Sequence, residues 1–420
     1  MKIRIAWLLL ACLVSSGQVL AGEANLGADV RGLLDYAREH NPELAAFRYD
    51  AEAAVQRVQP ASALPDPVLR TEFMDITKQG TVSPNVFPGQ GGGTRYLLMQ
   101  SVPWFGKLDL QRAVSDAQVL QANGQAALSW IDIASQIKSA YAMYYYFSGS
   151  ERLTMQTLGL LDSLEKIAQT RYANGLGAQQ DVIRVQLDKT VLRSELISLE
   201  NQHHHAHTRL NALLSRPVNA PLAEPTQLRA MPAAVKLDEQ ALQERLRNNN
   251  PQLRIAEANI YSAEKNRDLA YNNRYPGFTL GVAPTQTGGT IKSWDLMVEL
   301  NLPLQQSSRR SQEHEAEAML SASTARKAAL LNKVQADLAE NLFALDASRR
   351  TEALISTRLL PQAELTYQSA LAGYETGAVE FSMLIEAQKQ ILKIKQQLLQ
   401  AQTDMQLRLA DIEQSLGEAL

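Results

Sequence analysis

The chain is written twice, and that repetition limits what it can fold into more than any single motif does. Asn41-Pro42-Glu43-Leu44 recurs as Asn250-Pro251-Gln252-Leu253, and Pro67 falls opposite Pro276 at the same offset. Val102-Pro103-Trp104 answers Leu302-Pro303-Leu304. Arg171-Tyr172-Ala173-Asn174-Gly175 answers Gly373-Tyr374-Glu375-Thr376-Gly377. The segment 210–214 then meets 412–416 at the offset of that last pair. Because the landmarks keep one order, the chain reads as a tandem duplication of one unit: helix, strand, turn, strand, long helix, tight turn, helix. That order describes a tube wall rather than a compact enzyme. The boundaries expected are a leader over 1–21, a first repeat over 22–216 and a second over 217–420.

Composition supports long helices over rounded cores. Aromatic residues make up 6% of the chain, while Ala, Leu, Gln, Glu, Lys and Arg crowd stretches without Gly or Pro. The formal net charge of −3 gives no basic surface for nucleic acid. Lys2 and Arg4, the apolar run from Ile5 to Val14 and Val19-Leu20-Ala21 form an export signal, with cleavage expected after Ala21. A second reading takes Leu9-Leu10-Ala11-Cys12 as a lipoprotein box that leaves Cys12 acylated. Cys12 is the sole cysteine, so disulfides within the chain are excluded. No later stretch has the length and apolarity of a transmembrane helix.

The strand candidates are short and paired. Residues 28–59 read as helix broken at Asn41-Pro42 and ended by Pro60, Pro65 and Pro67. Residues 68–76 and 95–102 flank a Gly- and Pro-rich stretch, and Pro103 closes this first hairpin. Residues 278–285 and 293–302 flank Gln286-Thr287-Gly288-Gly289, and Pro303 closes the second. Each strand is near the roughly 9–11 residues that a tilted strand needs to cross a bilayer. Four strands cannot close a useful barrel, and open edges are not tolerated in lipid, so strands that cross a membrane require several copies sharing one barrel.

Between the hairpins run the helices. From 106 to 174 no proline occurs, which at roughly 1.5 Å per residue gives on the order of 100 Å of helix. Ala113, Ala117, Leu120, Gly124, Ala127, Ile131 and Ala134 form a heptad seam of mostly small residues. Val182, Val185, Leu192, Leu196, Leu199 and Leu210 form the seam of the return helix. Ile391, Leu398, Met405, Ile412 and Leu416 repeat it. The expected pieces are two antiparallel coiled hairpins, over 106–214 and 306–416.

The two tight turns are the candidate functional points. Gly175 and Gly377 each follow a tyrosine, Tyr172 or Tyr374, where a helix must reverse through positive φ. Helix reversal explains them structurally; the sharper reading is that they ring the mouth of a pore. Asp181, Glu380 and Glu386 would then lend that mouth a negative field. His203 and His207 lie one helical turn apart, a spacing open to a metal ion. Their counterparts in the duplicate are Met405 and Leu409, which favours a packed or solvated helix face, so no metal and no cofactor is expected. Tyr144 to Phe147 and the scattered methionines read as packing. No nucleophile–base pair, phosphate loop or carboxylate motif stands out, which speaks against an enzyme.

These landmarks together resemble the TolC family of outer-membrane efflux channels. The residues that carry the resemblance are the duplicated Asn-Pro-x-Leu, Pro65-Asp66-Pro67, the run from Val102 to Lys107, Arg171-Tyr172-x-x-Gly175 with Asp181-Val182, and Tyr374-x-x-Gly377. The Pro65–Pro67 and Pro103–Lys107 stretches are most similar to its heavy-metal branch, the CusC and CzcC relatives. The resemblance implies a mainly α fold with a small β part: a homotrimer giving four strands per copy to a twelve-stranded barrel, continued by an α-barrel. Pro103, Trp104 and Pro303 would mark the change from barrel to helix. It further implies a periplasmic adaptor, an inner-membrane pump of the RND type and outer-membrane lipid as partners. In the family, a Tyr and an Arg of the second turn and an Asp after the first hold the entrance closed. Tyr374 and Asp181 match two of these, while Val379 stands at the arginine position and Met383 at a further aspartate position. The closing bonds must therefore differ here. Drug export or type I protein secretion through the same duct is the near alternative. A periplasmic coiled-coil or metal-binding scaffold without a pore is the distant one.

Overall fold

A computed structural model describes residues 26–76, 86–89 and 92–420. The leader, Cys12 and part of the first glycine-rich loop lie outside the described residues. The elements run α1 (Val30–His40), α2 (Pro42–Ser62), β1 (Val68–Met74), β2 (Gly93–Val102), α3 (Lys107–Ala173) and α4 (Gln179–Leu213). They continue as α5 (Glu239–Asn249), α6 (Pro251–Asn272), β3 (Gly277–Thr287), β4 (Thr290–Asn301), α7 (Gln306–Leu354), α8 (Leu360–Thr376) and α9 (Phe381–Leu416). The fold is mainly helical with one four-stranded antiparallel sheet.

Three local expectations change. Helix α2 continues through Pro60 to Ser62. A proline this close to a helix end removes one bond, and the Ser62 hydroxyl donates to the Val58 and Gln59 carbonyls there. The β3–β4 turn shrinks to Gly288-Gly289, with Gly288 at φ +63°, so both strands lengthen. The small-residue seam of α3 is only partly covered: Ala117 and Ala134 are buried, but Leu120 is 56% exposed and Ala127 is exposed. Burial there depends on which helix lies alongside, as where Gly124 leaves room for Ile255 of α6. The seams of α4 and α9 hold, with Val185, Leu192, Leu199, Leu210, Met405, Ile412 and Leu416 all buried. The second long helix also departs from the first. A π-helical turn, Ile355–Leu359, separates α7 from α8, just ahead of Pro361, which has no N–H to continue an α pattern.

The chain divides into two compact units that each draw on both halves of the sequence. One comprises residues up to Ala45, Ala127–Asn250 and Asn332–Leu420; the other comprises Ala46–Ala126 and Pro251–Leu331. In the first, the duplicated Asn-Pro motif makes a duplicated bond. Asn41 donates from Nδ2 to the Leu213 carbonyl at 2.9 Å, at the end of α4, and Asn250 donates to the Ser415 carbonyl at 2.7 Å, at the end of α9. The Asn41 Oδ1 also accepts from the Glu43 and Leu44 amides and so caps α2. A second matched pair follows. Buried Asn211 donates to the Val218 carbonyl, and its counterpart Glu413 accepts from the Leu420 amide. The prolines of the motif start a helix, while its asparagines tie that start to the return helix of the same repeat. Asn41→Ala and Asn250→Ala should each lower stability by about 1–2 kcal/mol, from an orphaned helix-end carbonyl and, at Asn41, a lost cap as well, read as a fall in melting temperature in detergent.

Candidate functional site

The sheet of the second unit has two chemically opposite faces. In register, Leu69, Leu98, Val282 and Leu296 form one row across all four strands. Leu280 with Val298, Phe278 with Leu300 and Pro284 with Trp294 share that face. The aliphatic row is exposed throughout, at 65%, 54%, 43% and 77%. On this face Gln100, opposite Leu280, donates to the Pro65 carbonyl at 2.7 Å, and the Tyr96 hydroxyl donates to Gln286. The opposite face carries Arg70, Glu72, Arg95, Ser101, Thr279, Thr285, Asp295 and Glu299 around a small cluster of Leu97, Met99, Ala283 and Met297. Apolar and polar residues on alternate positions, which turn to opposite faces, are the pattern found in transmembrane β-strands. Among the described residues, strands β1 and β4 are the unpaired edges of the sheet.

Where strands meet helices, Trp104 is the centre of an aromatic collar. Its ring stacks on Tyr275 at 4.9 Å and on Phe278 at 5.6 Å, and meets Phe105 edge-on at 5.7 Å. Pro103 ends β2 one residue before it, and Gly106 turns at φ +78° into α3. Pro303 plays the matching part after β4, its carbonyl accepting from the Gln306 side chain that opens α7. Tyr275, Phe105 and Leu304 are exposed. Amphipathic rings at this level suit a membrane–water boundary. Tyr275 and Phe278 were not picked out from sequence, because no counterpart aromatic repeats in the first half.

In the first unit the two tight turns are superposable chemistry. Leu176 N–H donates to the Arg171 carbonyl and Gly175 N–H to the Tyr172 carbonyl; Ala378 and Gly377 do the same to Gly373 and Tyr374. With Gly175 at φ +73° and Gly377 at φ +78°, both helices end in Schellman turns. The turns are also tied together. Arg171 donates from Nη1 to the Tyr374 carbonyl at 2.9 Å, and its guanidinium sits 4.7 Å over the Tyr374 ring. Tyr374 is buried, packs on Phe381 at 5.0 Å, and its hydroxyl has no hydrogen-bond partner among the described residues. Burial raises the Tyr374 hydroxyl pKa; Arg171 opposes this and Asp181 adds to it. Tyr172 is exposed, as are Glu380 and Glu386, while Asp181 is half-buried. Val379 stands two residues past Gly377, and the arginine that contacts Tyr374 comes from the other turn. Two small swaps accompany it. Val379 fills the space over Gly373, where a Cβ would come within 2.5 Å of Val379 Cγ2. Across the duplicate, Gly177 leaves room beside Arg171, which stands where Gly373 does.

His203 and His207 sit in a separate polar cluster. His203 places Nδ1 3.3 Å from Glu151 and Nε2 3.4 Å from Glu224, and its ring stacks on Tyr144 at 4.9 Å. Burial pushes the Glu151 carboxyl up and the His207 imidazole down. Among the described residues no three His, Cys, Asp or Glu side chains are grouped to hold a metal ion.

A sheet with an exposed apolar face and open edges, leading into long helical hairpins, is the fold of outer-membrane channels. The chain superposes on the outer-membrane channel OprN with a TM-score of 0.81 at 18% identity, covering 93% of this chain and 90% of that one. It superposes on CusC, in structures describing its folding and transmembrane channel formation, with a TM-score of 0.79 at 16% identity, covering 93% and 92%. It is 23% identical over 369 residues to nodulation protein T of Rhizobium leguminosarum bv. trifolii, covering 83% of this chain and 76% of that protein. Residues 242–418 match the family model described as outer membrane efflux protein.

Proposed function

We propose that this chain is the outer-membrane channel of a tripartite efflux assembly, a homotrimer that gives passive exit to solutes delivered by an inner-membrane pump through a periplasmic adaptor. The observation that carries this reading is the sheet: four strands with a row of exposed aliphatic side chains on one face, charges on the other, and two unpaired edges. Unpaired backbone groups in hydrocarbon cost several kcal/mol each, so such a sheet enters a bilayer only when sister copies complete the cylinder. The channel supplies a path, and the pump supplies the energy. Detergent-extracted protein should run as a trimer and form ion-conducting pores in planar bilayers. A soluble monomer, stable without detergent, overturns the proposal.

Cargo is read as heavy-metal cations, on the Pro65–Pro67 and Pro103–Lys107 stretches. A deletion strain should be sensitised to metal salts; sensitisation to drugs alone reassigns the cargo. The entrance is read as the pair of turns, held shut by Tyr374, Asp181 and Arg171. Arg171→Ala and the double change Tyr374→Ala, Asp181→Ala should each raise bilayer conductance. Conductance equal to wild type in all of them would remove these turns from gating.

A further inference from the structure

The two edges of the sheet's polar face carry different charges. Edge strand β1 carries Arg70 together with Glu72, and edge strand β4 carries the carboxylates Asp295 and Glu299. Arg95 of β2 spans the ground between: Nη1 is 3.9 Å from Glu72 on β1, and Nη2 is 3.8 Å from Asp295, two strands away. That reach is open because β3 presents Gly281, Ala283 and Thr285 on this face, with no long side chain in the way. Arg70 Nη1 lies 3.8 Å from Glu72. The alternating series Arg70, Glu72, Arg95, Asp295 therefore crosses the sheet, starting on a cation and ending on an anion. Both ends are open to solvent, with Arg70 58% and Asp295 48% exposed.

We propose that Arg70 of one copy pairs with the Asp295–Glu299 edge of the next, forming a charged seam that selects how the copies close. This rests on the shared-barrel reading above. Strand edges alone give affinity without choice, since any free N–H and C=O row will bond to any other. The charges supply the choice. On this face β1 carries Arg70 beside Glu72 whereas β4 carries only Asp295 and Glu299, so β4 against β4 sets carboxylates against carboxylates, while β1 against β4 gives them a cation. Only the head-to-tail contact repeats around a ring and closes it. The seam lies on the face turned away from the apolar row, so its charges meet the aqueous lumen.

The test uses full-length protein in detergent, with the temperature at which the trimer dissociates as the readout. Arg70→Glu should lower that temperature while leaving the helical circular dichroism signal intact. In a Cys12→Ser background, Arg70→Cys combined with Glu299→Cys or with Asp295→Cys should give covalent dimers and trimers on oxidation. An Arg70→Glu trimer as heat-resistant as wild type, or cross-linked dimers from Arg70→Cys alone, would overturn the seam while leaving the channel reading standing. A wild-type protein that is monomeric in detergent would remove the shared barrel itself, and this pairing with it.

Discussion

Glu413→Ala is expected to destabilise the helical unit by about 3–5 kcal/mol, the range for removing one partner from a buried ion cluster. Glu413 is 5% exposed. Its Oε2 accepts from Lys138 Nζ at 2.8 Å and from Arg229 Nη1 at 2.7 Å, and its Oε1 accepts from the Leu420 amide at 3.0 Å. One carboxylate thus joins α3, the segment between α4 and α5, α9 and residue 420. Alanine would leave two largely buried cations facing each other. Glu413→Gln should fall between, keeping the shape and losing the charge. The pH dependence has a definite sign. Burial raises the Glu413 pKa, but Arg229 and Lys138 outweigh it and hold the carboxyl below its ordinary value of 4.5. A depressed folded-state pKa gives stability that is complete above 4.5 and is lost as pH falls through the lower folded value. Melting curves of wild type and Glu413→Ala should therefore converge in acid. Curves that stay parallel from pH 7 down to acid would refute this account.

Leu296→Arg is expected to lower barrel stability by about 2–4 kcal/mol per copy, whereas Thr279→Arg should be close to neutral. The two positions lie on β4 and β3, on opposite faces of one sheet. Leu296 is 77% exposed within a row of aliphatic side chains, so an arginine there would meet hydrocarbon. Thr279 pairs with Glu299 on the charged face, where an arginine would meet a carboxylate and water. Heat-modifiability of the detergent-solubilised protein reads the difference. Equal losses at both positions would mean that the apolar face does not face lipid.

Much of this was legible in the residues because local geometry dictated it. Asn41 and Asn250 announce a break and restart, and Gly175 and Gly377 announce helix reversal, since proline and left-handed glycine leave the backbone few alternatives. Trp104 beside Pro103 marked the strand–helix junction. What stayed hidden depended on partners far apart in sequence. The strand alternation looked loose one strand at a time, and became two clean faces only when pairing aligned Leu69 with Leu98, Val282 and Leu296. Arg171 reads as an ordinary last-turn cation until its guanidinium is found on Tyr374. Leu120 and Ala127 share the α3 stripe yet are exposed in a single copy, because a heptad says which residues share a stripe, not whether a helix covers it.

By itself, the sequence determined the duplication, the element order, the turn positions and the want of any span apolar enough for a transmembrane helix. These follow from backbone chemistry and side-chain period, which act over a few residues. The tertiary structure alone decided which sheet face is apolar, how Glu413 is neutralised, and which arginine holds the second turn. Each of those is a through-space encounter, set by register and packing, between groups whose separation along the chain carries no mark of it.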